Sequence, residues 1–208
     1  MSNALKWMRR ARRLHALGIT GVFFGETEFS KERYQEIADI ALEMLADIGD
    51  LPVEQVAELF VEEPGYRTPK IDVRGAVIVD NQILLVQEKS DGLWALPGGY
   101  ADVGLSGAEN VVKEISEEAN LHVTASRLYA LKHNAKHEFM PDLREFYKLY
   151  YLCEPTDLVA PVAGLETADA GFFGLTELPA LSLGRTIRSD IELAFSAAAD
   201  PGLSTFFD

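Results

Sequence analysis

The stretch GGYADVGLSGAENVVKEISEEANL, from Gly98 to Leu121, constrains this chain more than any other. Ser106 and Glu109 stand three apart ahead of an apolar run. At that spacing a serine hydroxyl and a glutamate carboxylate satisfy each other's free backbone N–H groups, so a helix is predicted from Gly107. Ala108, Val111, Val112, Ile115 and Ala119 then recur on one stripe that faces a core. Asn120 suits the left-handed position that ends a helix. Glu114, Glu117 and Glu118, at i, i+3 and i+4, project from one side of that helix next to the stripe. Like charges so placed destabilise an isolated helix by roughly a few tenths of a kcal/mol per pair, so a cation is expected to offset them. Oxygen donors alone suit a hard ion such as Mg²⁺, Mn²⁺ or Ca²⁺, and Mg²⁺ uses one or two carboxylates together with substrate phosphates. Gly98 and Gly99, which carry no Cβ, let backbone come close to the same ion or phosphate. Taken alone, the glutamates read first as a solvated acidic face, as most acidic clusters are; the spacing of the whole stretch favours the metal reading.

Charge narrows the partners. Lys plus Arg total 19 against 33 Asp plus Glu, a net charge of −14 that repels polyanions, so RNA and other long nucleic acids are disfavoured. Cys153 is the one cysteine, which excludes an internal disulfide and offers no thiolate metal site. No run reaches the roughly 18 apolar residues of a membrane span, and Arg9, Arg10, Arg12 and Arg13 are not followed by an apolar segment of the signal-peptide kind. No membrane association and a cytoplasmic location are expected.

With 208 residues and 48% hydrophobic composition, the chain can bury a full core beside a small extra domain. The first third reads as helix. Trp7, Met8, Ala11, Leu14 and Leu17 recur opposite the four arginines, Ser30 is the expected cap of a second helix that stops at Gly49, and a third short helix follows Pro52. Two prolines and a glycine between Glu62 and Pro69 mark a linker. The predicted division is a helical domain over 1–68 and a second domain over 69–208. Beyond the linker a hairpin is predicted from Ile71 to Gln87 about a turn at Asp80, Asn81 and Gln82. Further strands are predicted at His122 to Leu131, Phe146 to Cys153 and Gly171 to Leu175, with a last helix over roughly Thr186 to Ala198.

The order Leu-Pro-Gly-Gly, loop, capped helix, Lys-Glu-Ile-Ser-Glu-Glu resembles the Nudix box, G-x5-E-x7-R-E-U-x-E-E-x-G-U with U apolar. Gly99, Glu114, Ile115, Glu117, Glu118 and Leu121 match at the family spacing. Leu105, Lys113 and Asn120 depart from it, standing where the family has Glu, Arg and Gly. Lys113 keeps the cation but lacks the bidentate fork of Arg, and Leu105 removes a carboxylate that supports the loop in the family. The resemblance implies an α/β (α+β) fold, an α/β/α sandwich around a mixed sheet. It also implies a hydrolase that cleaves a nucleoside diphosphate linked to a group X by attack of metal-activated water on phosphorus. On the matching positions, Glu114 and Glu118 are the expected metal ligands for Mg²⁺ or Mn²⁺, with Glu117 as a third or water-mediated ligand and the Gly98 carbonyl as a further donor. The general base is expected to be Glu114 or a later acid, Glu166 or Asp169.

The flanking sequence, with its helical extension and terminal Phe206-Phe207-Asp208, looks like the bacterial branch of CDP-choline and ADP-ribose pyrophosphatases. It implies a homodimer through the N-terminal helices. Arg74 is expected either to hold a substrate phosphate or to pair internally with Asp72 or a box glutamate. Glu88, Trp94, Gly99, His133 and Arg144 are the further substrate-binding candidates, with core packing the alternative for Trp94 and solvation for the loop residues. Competing readings are a (d)NTP or RNA 5′-end hydrolase, and a nucleotide-sensing module without turnover.

Overall fold

The computed structural model describes residues 3–60, 68–157 and 159–208. The predicted linker, up to Arg67, lies outside the described residues. The chain divides into two compact units, Met1–Pro69 with Pro141–Glu145, and Lys70–Met140 with Phe146–Asp208.

The first unit holds α1 (Asn3–Phe24), α2 (Glu28–Gly49) and α3 (Val53–Glu58). Thr27, not Ser30, caps α2: its hydroxyl accepts from the Ser30 N–H at 3.1 Å while the Ser30 hydroxyl accepts from the Thr27 N–H at 3.2 Å. The serine thus occupies the third helical position of a reciprocal cap. Asp50, at φ 51° and ψ 46°, takes the left-handed position that ends α2. Met8, Ala11, Leu45, Ala46, Val56 and Leu143 form the core of this unit. The stripe expected on α1 is only half buried, because Trp7, Leu14 and Leu17 remain exposed while Arg12 and His15 are buried. Small residues explain it. α1 and α2 approach through Gly18 and Ala38, so closely that a Cβ at Gly18 would stand 2.8 Å from that of Ala38, and the bulky side chains are left outside. Arg12 therefore does not stand opposite the buried side of α1, as the sequence pattern suggests, but lies within it. Its Nη1 donates to the carbonyls of Asp142 at 3.1 Å and Arg144 at 2.6 Å, and its Nη2 lies 3.4 Å from the Glu145 carboxylate.

The second unit runs β1 (Lys70–Val79), β2 (Gln82–Glu88), β3 (Trp94–Ala95), α4 (Gly107–Ala119), β4 (Val123–His133), β5 (Phe146–Pro155), β6 (Thr167–Gly174), α5 (Arg188–Ala199) and β7 (Phe206–Phe207). Asp80 and Asn81, both at positive φ, make the tight β1–β2 turn. The strands form one mixed sheet in the order β3-β2-β1-β5-β4-β7, with β6 also on β2; β1–β5 and β4–β7 are the parallel pairs. Alternation along the strands divides the core in two. Val73, Val77, Leu84 and Val86 meet Val111 and Ile115 of α4 on one face. On the other face, Ala76, Ile83, Leu85 and Tyr150 meet Ile191 of α5. The result is the expected α/β/α sandwich. β6 begins earlier than the sequence suggests, at Thr167, and the terminal phenylalanines form an unforeseen strand. Among the described residues no helix is long and apolar enough to cross a membrane.

Candidate active site

α4 carries the site, and both its ends are chemically fixed. Ser106 and Glu109 close the predicted reciprocal cap at 3.2 and 2.7 Å, and Asn120 sits at φ 50° and ψ 33°. The apolar stripe turns Glu118 inward with it. Glu118 is 7% exposed, and its Oε2 accepts the Gly98 N–H at 2.8 Å. The loop before α4 is sewn to β1 by Val73 N–H to Gly99 O at 2.8 Å and Gly75 N–H to Pro97 O at 2.9 Å. That leaves Gly98 at φ +144°, where a Cβ would stand 2.0 Å from the Val73 carbonyl oxygen. The Glu114 carboxylate rests against the next residue, so that a methyl at Gly99 would lie 3.1 Å from its Oε2. Two carboxylates one helical turn apart thus flank the glycine pair.

Burial chiefly pushes the Glu118 carboxyl up to about 7; Arg74 and the Gly98 N–H oppose it, and Glu114 and Glu88 add to it. Burial likewise raises Glu114. Each carboxylate is more easily ionised with a cation beside it. Glu117 differs, being exposed and held 2.9 Å from Lys113 Nζ, which also lies 3.2 Å from Asp102 Oδ2.

Asn110, which the sequence reading passed over, braces the loop where Leu105 replaces the box glutamate. It is fully buried. Its Oδ1 accepts the Asp102 N–H at 2.8 Å, and its Nδ2 donates to the carbonyls of Asp102, Leu105 and Ser106 at 3.4, 3.3 and 3.1 Å. A polar residue next to Val111 on the predicted buried stripe was the available signal.

An open cleft of about 640 Å³ runs beside α4, between Glu114, Glu117, Glu118 and Asn120 on one wall and residues 163–166 on the other. It brings Glu166 to the box glutamates. Asp169 does not reach it: the residue belongs to β6, pairs with Gln87, and lies on the strand face of Phe173 and α5, opposite Ala170 and Phe172, which pack toward α4. The early start of β6 is the reason.

The other expected residues lie outside that cleft. Arg74 is 4% exposed and grips Asp72 with two 2.9 Å hydrogen bonds, while a third donates to Leu96 O at 3.1 Å. Although burial pushes the Asp72 carboxyl up, Arg74 and Lys148 hold it below the usual carboxylate range. The internal pairing is thus the one realised. Glu88 pairs with Arg185 at 3.0 Å. Trp94 packs edge-on against Phe173, 4.7 Å between centroids, in the α5-side core. His133 ends β4, with its ring 5.4 Å from Tyr147 and its N–H donating to the Asp208 carboxylate. Arg144 belongs to the helical unit and pairs with Asp142 at 2.9 Å. At Gly98 it is the N–H that the structure shows bonded to Glu118.

Among the described residues no three His, Cys, Asp or Glu side chains converge as a preformed metal cage. Two raised carboxylates beside bare glycine backbone nevertheless fit Mg²⁺ or Mn²⁺, because a hard ion of this kind takes few protein ligands and completes its shell with water and phosphate oxygens.

Residues 69–191 match the NUDIX domain family, and residues 5–60 match the family described as a UDP-X-like, N-terminal oligomerisation domain. A Bacillus subtilis (strain 168) protein provisionally named an ADP-ribose pyrophosphatase is 43% identical over 98% of this chain and 97% of its own. A crystal structure of a UDP-X diphosphatase is 31% identical, covers 100% of both chains and superposes with a TM-score of 0.63. That of an ADP-ribose pyrophosphatase from Streptococcus suis 89-1591 is 40% identical over 68% of this chain and 100% of its own, with a TM-score of 0.62. With a capped acidic helix against a glycine pair, a domain match over more than half its length and a relative similar nearly from end to end, the chain belongs to the Nudix family and is a Nudix pyrophosphohydrolase.

Proposed function

We propose that the cleft hydrolyses the diphosphate of a nucleoside diphosphate linked to a group X, in the class of ADP-ribose, CDP-choline or a UDP-linked compound, with Mg²⁺ or Mn²⁺ held by Glu114 and Glu118. The observation that carries this reading is the placement of both carboxylates against Gly98 and Gly99. Relatives named for ADP-ribose and UDP-X substrates support the substrate class. A divalent ion at this point lowers the pKa of a bound water and offsets diphosphate charge. Glu118, with its Oε2 accepting the Gly98 N–H, would hold such an ion together with Glu114. Glu166, across the cleft, would take the proton of the attacking water, and Glu117 would support the ion as a third or water-mediated ligand.

The chain acts as a homodimer. Trp7, Leu14 and Leu17 of α1 and Tyr34, Ile37 and Ile40 of α2 are all exposed, and a second copy covers them. The oligomerisation family matched by residues 5–60 supports this.

The experiment is nucleotide release from ADP-ribose, CDP-choline and a UDP-sugar side by side, with Mg²⁺ and then Mn²⁺. Turnover of one of them that needs the ion and is lost in Glu118→Gln establishes the reading and selects X. Tight binding of the nucleotides without turnover overturns it in favour of a sensor.

A further inference from the structure

We propose that Asn120, which closes α4, is a positioning residue for Glu166, holding the cleft wall that carries this acid in register with the box glutamates. The inference rests on the reading of Glu166 as the proton acceptor. The last carbonyls of α4 each need a donor from outside the helix. The Ala119 carbonyl accepts the Val162 N–H at 2.9 Å. The Glu118 carbonyl accepts the Gly164 N–H at 3.1 Å and the buried Thr167 hydroxyl at 2.7 Å. Thr167 Oγ in turn accepts the Gly164 N–H at 2.9 Å. The loop is thereby laid directly on the helix end, so closely that a Cβ at Gly164 would stand 1.7 Å from the Glu117 carbonyl oxygen.

Asn120 completes this junction from the side chain. Its Nδ2 donates to the carbonyls of Val162 at 2.8 Å and Ala163 at 3.3 Å. Glycine would serve the left-handed backbone at least as well as asparagine, so the cap geometry does not demand the carboxamide. What the carboxamide adds is the grip on 162–163. On the far side of Glu166, Thr167 is fixed to Glu118 O; on the near side, Lys89 Nζ reaches Leu165 O at 2.6 Å. Glu166 itself is exposed, so its own packing does little to fix its place. The residues around it supply that placement, and a loop held on both sides keeps the acid close to a productive geometry.

The test compares Asn120→Gly, Glu166→Gln and the double variant by steady-state kinetics on whichever nucleotide the wild type turns over, with hydrogen exchange of the Val162 and Gly164 amides followed in parallel. Asn120→Gly is expected to keep the fold and KM, to speed exchange of those two amides about tenfold while the interior of α4 keeps its protection, and to lower kcat. The double variant is expected to be no slower than Glu166→Gln alone, because both changes act through one group. Unchanged exchange overturns the clamp whatever the substrate proves to be. An Asn120→Gly loss that persists in full in the Glu166→Gln background, or an inert Glu166→Gln, overturns the link to the acid, while loss of activity in Glu118→Gln leaves the metal-dependent reading standing.

Discussion

The Gly98 N–H and the Glu118 carboxylate meet at 2.8 Å across the gap between the glycine loop and α4. This bond favours the ionised acid, burial works against it, and burial wins, leaving the group at about 7. An ion at the site would reverse the balance.

A pH dependence follows. The folded value of Glu118 lies above its ordinary 4.5, so the stabilisation it contributes is full below about pH 4.5 and is lost as pH rises through about 7. The shift corresponds to on the order of 3 kcal/mol. Melting of the metal-free protein should therefore show a stability loss across this range that Glu118→Gln removes and excess Mg²⁺ largely restores. A wild-type profile that matches the variant's, with or without Mg²⁺, contradicts the assignment.

Gly98→Ala should be among the most damaging single changes. The new methyl would meet the Val73 carbonyl at 2.0 Å from a backbone at φ +144°. A loss of roughly 3 kcal/mol or more is expected in denaturant titrations, with activity lost in whatever fraction remains folded.

Asn110→Ala removes one hydrogen bond from each of three loop carbonyls and the side-chain acceptor of the Asp102 N–H. The expected cost is about 1–3 kcal/mol, with faster amide exchange over residues 102–106. Asp102→Ala removes only an exposed ion pair with Lys113 and should cost less than about 1 kcal/mol. Equal costs would mean that the ion pair, and not the carboxamide, braces the loop.

Arg74→Met leaves the Asp72 carboxylate buried with Lys148 alone, 3.3 Å away. A loss of about 3–5 kcal/mol is expected, and Asp72→Leu in the same chain should recover much of it. Asp72 is held below its ordinary value, so the wild-type pair contributes fully at neutral pH and fails only as acid takes the pH down through the folded value. An Arg74→Met protein of normal stability but raised KM would return this arginine to the substrate.

Leu14→Glu with Leu17→Glu places charge on the exposed face of α1. If the proposed contact is right, sedimentation should show the wild type as a dimer and this variant as a monomer. A variant that stays dimeric moves the subunit contact elsewhere.

The central helix was legible because its signals are local. A cap four residues long, a 3.6-residue stripe and a left-handed stop each depend only on neighbours in sequence, and all three stand where the sequence put them. The places of Glu114 and Glu118 on α4 were readable for the same reason. Asp169 was not, since the start of β6 is set by pairing with β2, far away in sequence. Arg12 escaped a local reading too, and for Trp94 local sequence left the choice between core and substrate open. The first is buried by carbonyls about 130 residues further on, and the second by Phe173. Asn110 shows the limit of hydrophobic patterning, because the stripe admits a polar residue wherever a loop turns its backbone groups inward.

The fastening of Arg12 to residues 141–145 bears on how such a protein can be inherited. Two family matches, ending at residue 60 and beginning at residue 69, suggest a join between them at which helices and hydrolase could be recombined freely. Leu143 and the carbonyls of Asp142 and Arg144 say otherwise, for they complete the helical unit from a stretch encoded well inside the second match. A crossover at the join alone would bring in helices whose buried arginine and apolar pocket had evolved against a different strap. The helices and those five residues should therefore travel together, and a chimera that exchanges both is expected to fold where one that exchanges the helices alone is not.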